Sequence, residues 1–377
     1  MDQPFSPRHS TAPSPQPRPQ ADPDPELAAA LDEVRRAIAA AGAAPALRQA
    51  ARAIQDLAQR LVEQEPDAER LTRIISALND ALTQRVIELA SAQELPQALD
   101  WCWISLGSEG RQEQTLSSDQ DNGIIFSGSG TPDAARAQLL PFARRINETL
   151  DDCGFPLCRG QIMASNPQWC LSLAEWREQF GQWIIEGDPL ALLNASIFFD
   201  MRALYGSTHL AQELAVWLGE QAAGNSRFLY QMTANALRRE APLGLLRRFA
   251  LERSGPFAGT IDLKLNGATL FVDAARIYGL ACGGGASNTA DRLRLAAGAH
   301  HLHPADADES IAAFYVIQML RLKHQHRHYA GATEMHNHVD PDLLDDAERL
   351  ALLGALRQAR RLQQRLALDY PGSGAGL

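Results

Sequence analysis

Residues 101–126 read WCWISLGSEGRQEQTLSSDQDNGIIF, and the parsing of this stretch decides the fold. WCWISL has the length and aromatic content of a strand and runs into Gly107-Ser108, a pair suited to a tight turn. A polar segment follows, and a second apolar run opens at Asp119-Gln120-Asp121. Residues at i and i+2 of a strand point to one face, so Asp119 and Asp121 form a paired carboxylate. Such a pair can hold one or two divalent cations through oxygen, as magnesium prefers. If the turn at Gly107-Ser108 starts a helix, its unpaired N–H groups face outward and suit a phosphate. Phosphate seat and metal ligands then lie one connection apart.

Working outward, residues 26–94 are rich in Ala, Leu, Arg, Glu and Gln, and Leu71, Ile74, Ile75, Leu78 and Leu82 recur at helical spacing. Breaks near Gly42–Pro45 and Glu65-Pro66 predict three antiparallel helices, a scaffold or a homodimer surface. Residues 1–25 hold eight of the 21 prolines and read as a disordered tail. After the central stretch, Thr131-Pro132-Asp133 starts a helix that runs to about Asp152. LCRGQIM, within Pro156–Met163, is a candidate third strand, and Asn166-Pro167 marks a turn before another helix. Pro189–Tyr205 has a helical apolar pattern that carries Asp200 and Arg202, for which structural pairing competes with a nucleotide-facing role. From 207 to 370 the pattern is mostly helical, Asp345 and Glu348 have capping-box spacing, and 371–377 should fray. The expected fold class is α+β: a small mixed-sheet core between an N-terminal helical segment and a larger C-terminal helical bundle.

Among 377 residues the net charge is -10, which argues against a general affinity for nucleic acid. Five cysteines, Cys102, Cys153, Cys158, Cys170 and Cys282, form no CxxC pair and read as reduced thiols. With no apolar run of spanning length, the expectation is a cytoplasmic protein without membrane contact. His324, His326, His328, His336 and His338 invite a metal reading. On a helix, however, only His324 and His328 share a face, and no HExxH pattern appears, so a polar helix end is the preferred reading.

The string GSEGRQEQTLSSDQDNGIIF resembles the nucleotidyltransferase domain of bacterial signal-transduction proteins, a relative of protein-PII uridylyltransferase within the DNA polymerase beta-type superfamily. IDLKLNGATLFVDAARIYGL, SNTADRLRLAA, AFYVIQMLRLKHQ and HNHVDPDLLDDAERLALLGAL resemble the helical substrate-binding domain that accompanies it. The resemblance implies a nucleotidyltransferase domain over 95–206 and a substrate-binding domain over 207–370. It implies a nucleoside triphosphate donor, two Mg2+ ions on Asp119 and Asp121, and β- and γ-phosphates seated by Gly107 and Ser108. Arg111 would reach a phosphate with its planar fork, and Lys264 would contact the triphosphate from the helical domain. The acceptor is a regulatory protein or a small molecule. Superfamily members commonly carry a third acid on a later strand, but Pro156–Met163 contains none. Asp151, Asp152 or Asp200 fills that role, or the base is missing and the protein is a degenerate nucleotide-binding regulator.

Overall fold

The computed structural model describes residues 25–94, 99–187, 192, 196–244 and 249–371. The expected tails at 1–25 and 371–377 lie almost wholly outside the described residues, as does most of 189–195.

Three helices lead: α1 (Pro25–Ala40), α2 (Ala44–Gln64) and α3 (Ala68–Glu94), separated at the two predicted breaks. Pro45 stands at the start of α2, where a missing N–H costs nothing. At the start of α3 the Asp67 carboxylate accepts from the amides of Glu69 and Arg70. Leu71, Ile75, Leu78 and Leu82 bury one stripe of α3 in the core that covers one face of the sheet.

The sheet has the order β3-β2-β1-β4. Its strands are β1 (Asp100–Ser105), β2 (Asn122–Ser127), β3 (Cys170–Ser172) and β4 (Arg202–Gly206). β1 is antiparallel to both β2 and β4, and β2 is parallel to β3. Both faces are covered, so the period-two alternation sorts apolar side chains between two cores. Trp101, Trp103, Ile124 and Phe126 face α1–α3 and α5 (Pro132–Asp152), whereas Cys102, Ile104 and Ile125 face α6 (Leu173–Glu186) and the C-terminal helices. Each such side chain contributes about 1.5–3 kcal/mol when fully buried. Thr131 caps α5, and Ser172 with Glu175 forms a capping box on α6.

Three local expectations need correction. β2 begins at Asn122, so Asp119 and Asp121 stand in the loop that feeds it. LCRGQIM is a turn, and the third strand is Cys170–Ser172. Pro189–Tyr205 is not one helix: Ser196–Asp200 is a 3-10 turn and Arg202–Gly206 is the edge strand β4. Asp200 and Arg202 therefore do not share a helix.

The C-terminal half is a bundle of helices Thr208–Ala223, Ser226–Ala236, Thr269–Ala281, Thr289–Gly298, Pro304–Ala330 and Asp346–Asp369. A short antiparallel ribbon pairs β5 (Ile261–Asp262) with β6 (His338–Val339). Asp345 caps the last helix through the Glu348 amide, but the Glu348 side chain goes to Lys323 and Arg327 instead of returning to the cap. Among the described residues no helix is long and apolar enough to cross a membrane, and all five cysteines are unpaired.

Candidate functional site

The turn after β1 is a single helical turn, α4 (Gly107–Gly110). Its geometry requires both glycines. Gly107 has φ +53°, and a Cβ there would lie 2.8 Å from Asp121 Oδ2. A Cβ on Gly110 would lie 2.1 Å from the Asp200 carbonyl oxygen. The Arg202 guanidinium pins the turn from β4, donating to Glu109 O at 3.0 Å, Gly110 O at 3.3 Å and the Asp80 carboxylate at 2.8 Å. The N–H groups that open α4 have no intrahelical acceptor, as at any helix start.

The loop before β2 alternates in the same sense as the strand. Gln120 and Asn122 turn inward to Asn147 of α5, whose Nδ2 donates to Gln120 Oε1 at 2.7 Å and to Asn122 Oδ1 at 3.1 Å. Asn122 Oδ1 also accepts from the Ala164 amide at 2.8 Å. With these two amides anchored, Asp119 and Asp121 are turned the other way, and the Asp121 carbonyl accepts from Leu106 N at 2.8 Å. The expected juxtaposition of carboxylates and turn is therefore present, although its origin is the anchored loop and not strand pairing.

Cys158 joins the pair. One ligand atom from each of Asp119, Asp121 and Cys158 lies within 4.8 Å of the others. The thiol comes from the LCRGQIM turn and is buried. Burial, then the neighbouring Asp119 charge, pushes the Asp121 carboxyl up to about 7, partly offset by the Cys158 thiol, Lys264 and Arg111. Two hard carboxylates suit magnesium, whereas a thiol is a softer donor, so the oxygen pair fits that ion by itself. In α4, burial pushes Glu109 up to about 8, and its neutral carboxyl accepts from Ser105 Oγ at 2.7 Å.

Ser108 and Arg111 line a narrow cleft whose far wall carries Lys264, Thr269, Gln318 and Arg321 from the C-terminal half. Lys264 follows β5, its turn fixed by Asp262 Oδ1, which accepts from the amides of Lys264 and Leu265 at 2.8 and 2.9 Å. Arg321 is a cleft residue that the sequence reading missed; burial brings it down to about 10. Arg111 reaches the cleft with most of its guanidinium committed, Nε to Glu113 at 2.7 Å and Nη1 to Asp200 at 2.5 Å.

Asp200 is fully buried and takes no place beside Asp119 and Asp121. Arg276 grips it with two nitrogens at 2.9 and 2.7 Å, and Arg292 and Arg111 each reach it at 2.5 Å. Burial alone would raise this carboxyl, but the three guanidinium groups hold it well below the usual range. Around it the halves interlock: Ser287 Oγ donates to Gly110 O at 2.8 Å, Asn288 Nδ2 to Arg111 O at 2.9 Å, and the Thr289 amide to Glu113 Oε1 at 2.6 Å. Asp151 is not one of the groups clustered with the pair, and its carboxylate accepts from the Leu157 amide at 3.2 Å.

A profile of the family described as "Putative nucleotidyltransferase DUF294" matches residues 52–190, which include Gly107, Ser108, Arg111, Asp119, Asp121 and Cys158. A second, described as "Putative nucleotidyltransferase substrate binding domain", matches residues 226–370, which include Lys264, Arg276, Arg292 and Arg321. No curated protein matches the chain.

Proposed function

Because the chain belongs to the nucleotidyltransferase family whose two profiles it matches in tandem, we propose that it moves a nucleoside monophosphate from a nucleoside triphosphate to an acceptor hydroxyl. The observation that carries this reading is the clustering of Asp119 with Asp121, whose Oδ2 lies against Gly107 of the α4 turn, while Lys264 and Arg321 face Ser108 and Arg111 across the cleft. Magnesium, held by Asp119 and Asp121, would supply neutralisation of charge on the triphosphate and on the attacking oxygen. The chain's own contribution is positioning and preorganised charge, as in other phosphoryl transfers. The α4 turn would seat the β- and γ-phosphates at its N–H groups and the Ser108 hydroxyl, while Lys264 and Arg321 would face them as fixed positive charges. The acceptor oxygen bonds to the α-phosphorus as the bond to the β-phosphate oxygen breaks. Pyrophosphate leaves, and the hydroxyl proton passes to the carboxylate pair or to water. A hydroxyl on a regulatory protein, as in PII uridylylation, suits the size of the C-terminal half; a small-molecule acceptor uses the same chemistry. Cytoplasmic placement and a homodimer through the N-terminal helices belong to the same proposal.

The test is thermal unfolding with each nucleoside triphosphate, with and without magnesium, followed by pyrophosphate release for any triphosphate that binds. A ligand that binds only the folded state raises Tm. A magnesium-dependent rise with release supports transfer and names the donor, and Asp121→Asn should then lower turnover by about a hundredfold or more, several kcal/mol of charge stabilisation being lost. Unchanged turnover in that variant would remove the carboxylate assignment. A specific observation favours a second reading, a nucleotide-binding regulator: Cys158 joins the two aspartates, and Asp200 is sealed elsewhere. Nucleotide binding without release in the presence of candidate acceptors would favour that alternative.

A further inference from the structure

Away from the cleft, the end of helix Pro304–Ala330 and the loop that follows it bring three imidazoles together. His324 and His328 lie one turn apart on the helix, and His336 returns from the loop to face both. Ring centroids are 4.5 Å apart for His324 and His328, 4.9 Å for His324 and His336, and 4.2 Å for His328 and His336. One ring nitrogen from each lies within 4.8 Å of the others, and all three residues are half-buried, open to an ion from solvent. The two remaining histidines of the run are engaged elsewhere. His326 contacts Gln59 and Glu63 of α2, and His338 stacks on Phe257 at 3.7 Å beside Glu252.

We propose that His324, His328 and His336 form a binding site for a divalent transition metal of the zinc class, which clasps the 331–338 loop to the end of helix Pro304–Ala330. This inference rests on the side-chain geometry and is independent of nucleotidyl transfer. The hydrogen bond on His328 is of the kind that orients a metal-binding imidazole. Thr333 Oγ1 donates its proton to the His328 carbonyl at 3.2 Å, so at 2.7 Å it can only accept from His328 Nδ1. His328 Nε2 therefore carries the lone pair. His336 Nδ1 accepts the His338 amide at 3.2 Å and faces His324 Nε2 at 3.2 Å, so in the metal-free form its single lone pair is shared between two donors, and a metal bound there replaces them. One of those donors is His324 Nε2 with its proton. On binding, that proton moves to His324 Nδ1 through solvent, and Nε2 becomes the third ligand. Three neutral nitrogens select zinc, nickel, cobalt or copper over magnesium or calcium, which require oxygen. The fourth position is left to water.

The clasped segment is connected to the cleft. Asn337, between His336 and His338, accepts from Arg321 Nε at 3.1 Å and Gln325 Nε2 at 3.3 Å, and its carbonyl accepts from Leu263 N at 2.9 Å, one residue before Lys264.

The experiment is a calorimetric titration of tag-free, chelator-stripped protein with zinc chloride, in an Asp121→Asn, Cys158→Ser background that disables the aspartate–thiol cluster. One equivalent of zinc should bind. His324→Ala and His336→Ala should each weaken binding at least tenfold, and His326→Ala should leave it unchanged. No binding by the folded background protein, or binding undiminished in both His324→Ala and His336→Ala, overturns the proposal. If either variant fails to fold, ring nitrogen NMR of the background protein decides. Zinc should shift the nitrogens of three histidines, and shifts confined to other histidines, or none, overturn the site.

Discussion

Two acidic centres lie on either side of the α4 turn, and their surroundings are opposite. Asp200 is sealed among Arg111, Arg276 and Arg292 and is held ionised at any ordinary pH. Asp121, almost as deeply buried, faces another carboxylate and a thiol, and its carboxyl is pushed up to about 7. One carboxylate already has its cations and performs a structural task. The other, among the described residues, has only Lys264 and Arg111 to offset its burial, and they do not return it to the usual carboxylate range, which is the condition the proposed cation site needs. Burial is common to both; the sign of the nearest charge separates scaffold from site.

Removing the satisfied centre should have the largest effect. Asp200→Ala leaves three buried guanidinium groups without their shared partner, and denaturant unfolding should read a loss of about 3–5 kcal/mol. Next comes the turn between the centres: Gly110→Ala drives a methyl group into the Asp200 carbonyl and should cost about 1–3 kcal/mol, with loss of any nucleotide-induced rise in Tm.

The unsatisfied centre should respond in the opposite direction. Its folded pKa is raised, so the folded state holds a proton that the unfolded state releases. Stability from this group is complete below about pH 4 and falls as pH rises through 7. Asp121→Asn should therefore stabilise the metal-free protein at pH 8 by about 1–2 kcal/mol, solvent screening having reduced the full effect of burial, and by nothing at pH 4. Magnesium should recover that difference in the parent and leave the variant unmoved; a parent whose Tm ignores both pH and magnesium would break the comparison. The smallest effect belongs to the solvent-facing link between the halves. There Arg294 bridges Glu69 and Asp291, and Arg294→Ala should change stability by about 0.2–1 kcal/mol, less at high salt.

What could be seen in the sequence was what local periodicity carries. α1, α2, α3, β1 and α5 follow from apolar spacing and helix-start residues, because each pattern is complete within a few turns. β3 is three residues long and gives no period to detect. β4 hides in PLALLNASIFFDMRALY, whose largely apolar character reads as a buried helix as readily as a strand. In the site, the Gly-Ser turn and the aspartate pair were legible because they are contiguous. Cys158, Arg321 and the ring around Asp200 were not, since contacts such as Arg292 with Asp200, 92 residues apart, exist only once the chain has closed. His336 joins His324 and His328 for the same reason, through a return loop without a spacing rule.

The bracket of Ser287, Asn288 and Thr289 has a mechanical consequence. These residues hold the carbonyls of Gly110 and Arg111 at the end of the α4 turn and the Glu113 carboxylate that steadies Arg111. The helical half is thereby geared directly to that turn. A large acceptor that tilted the helices away from the sheet would unlatch the seat in the same movement, and one that pressed them inward would tighten it. In the proposed transferase, cargo docked on the outer bundle would thus regulate the grip on nucleotide without touching it.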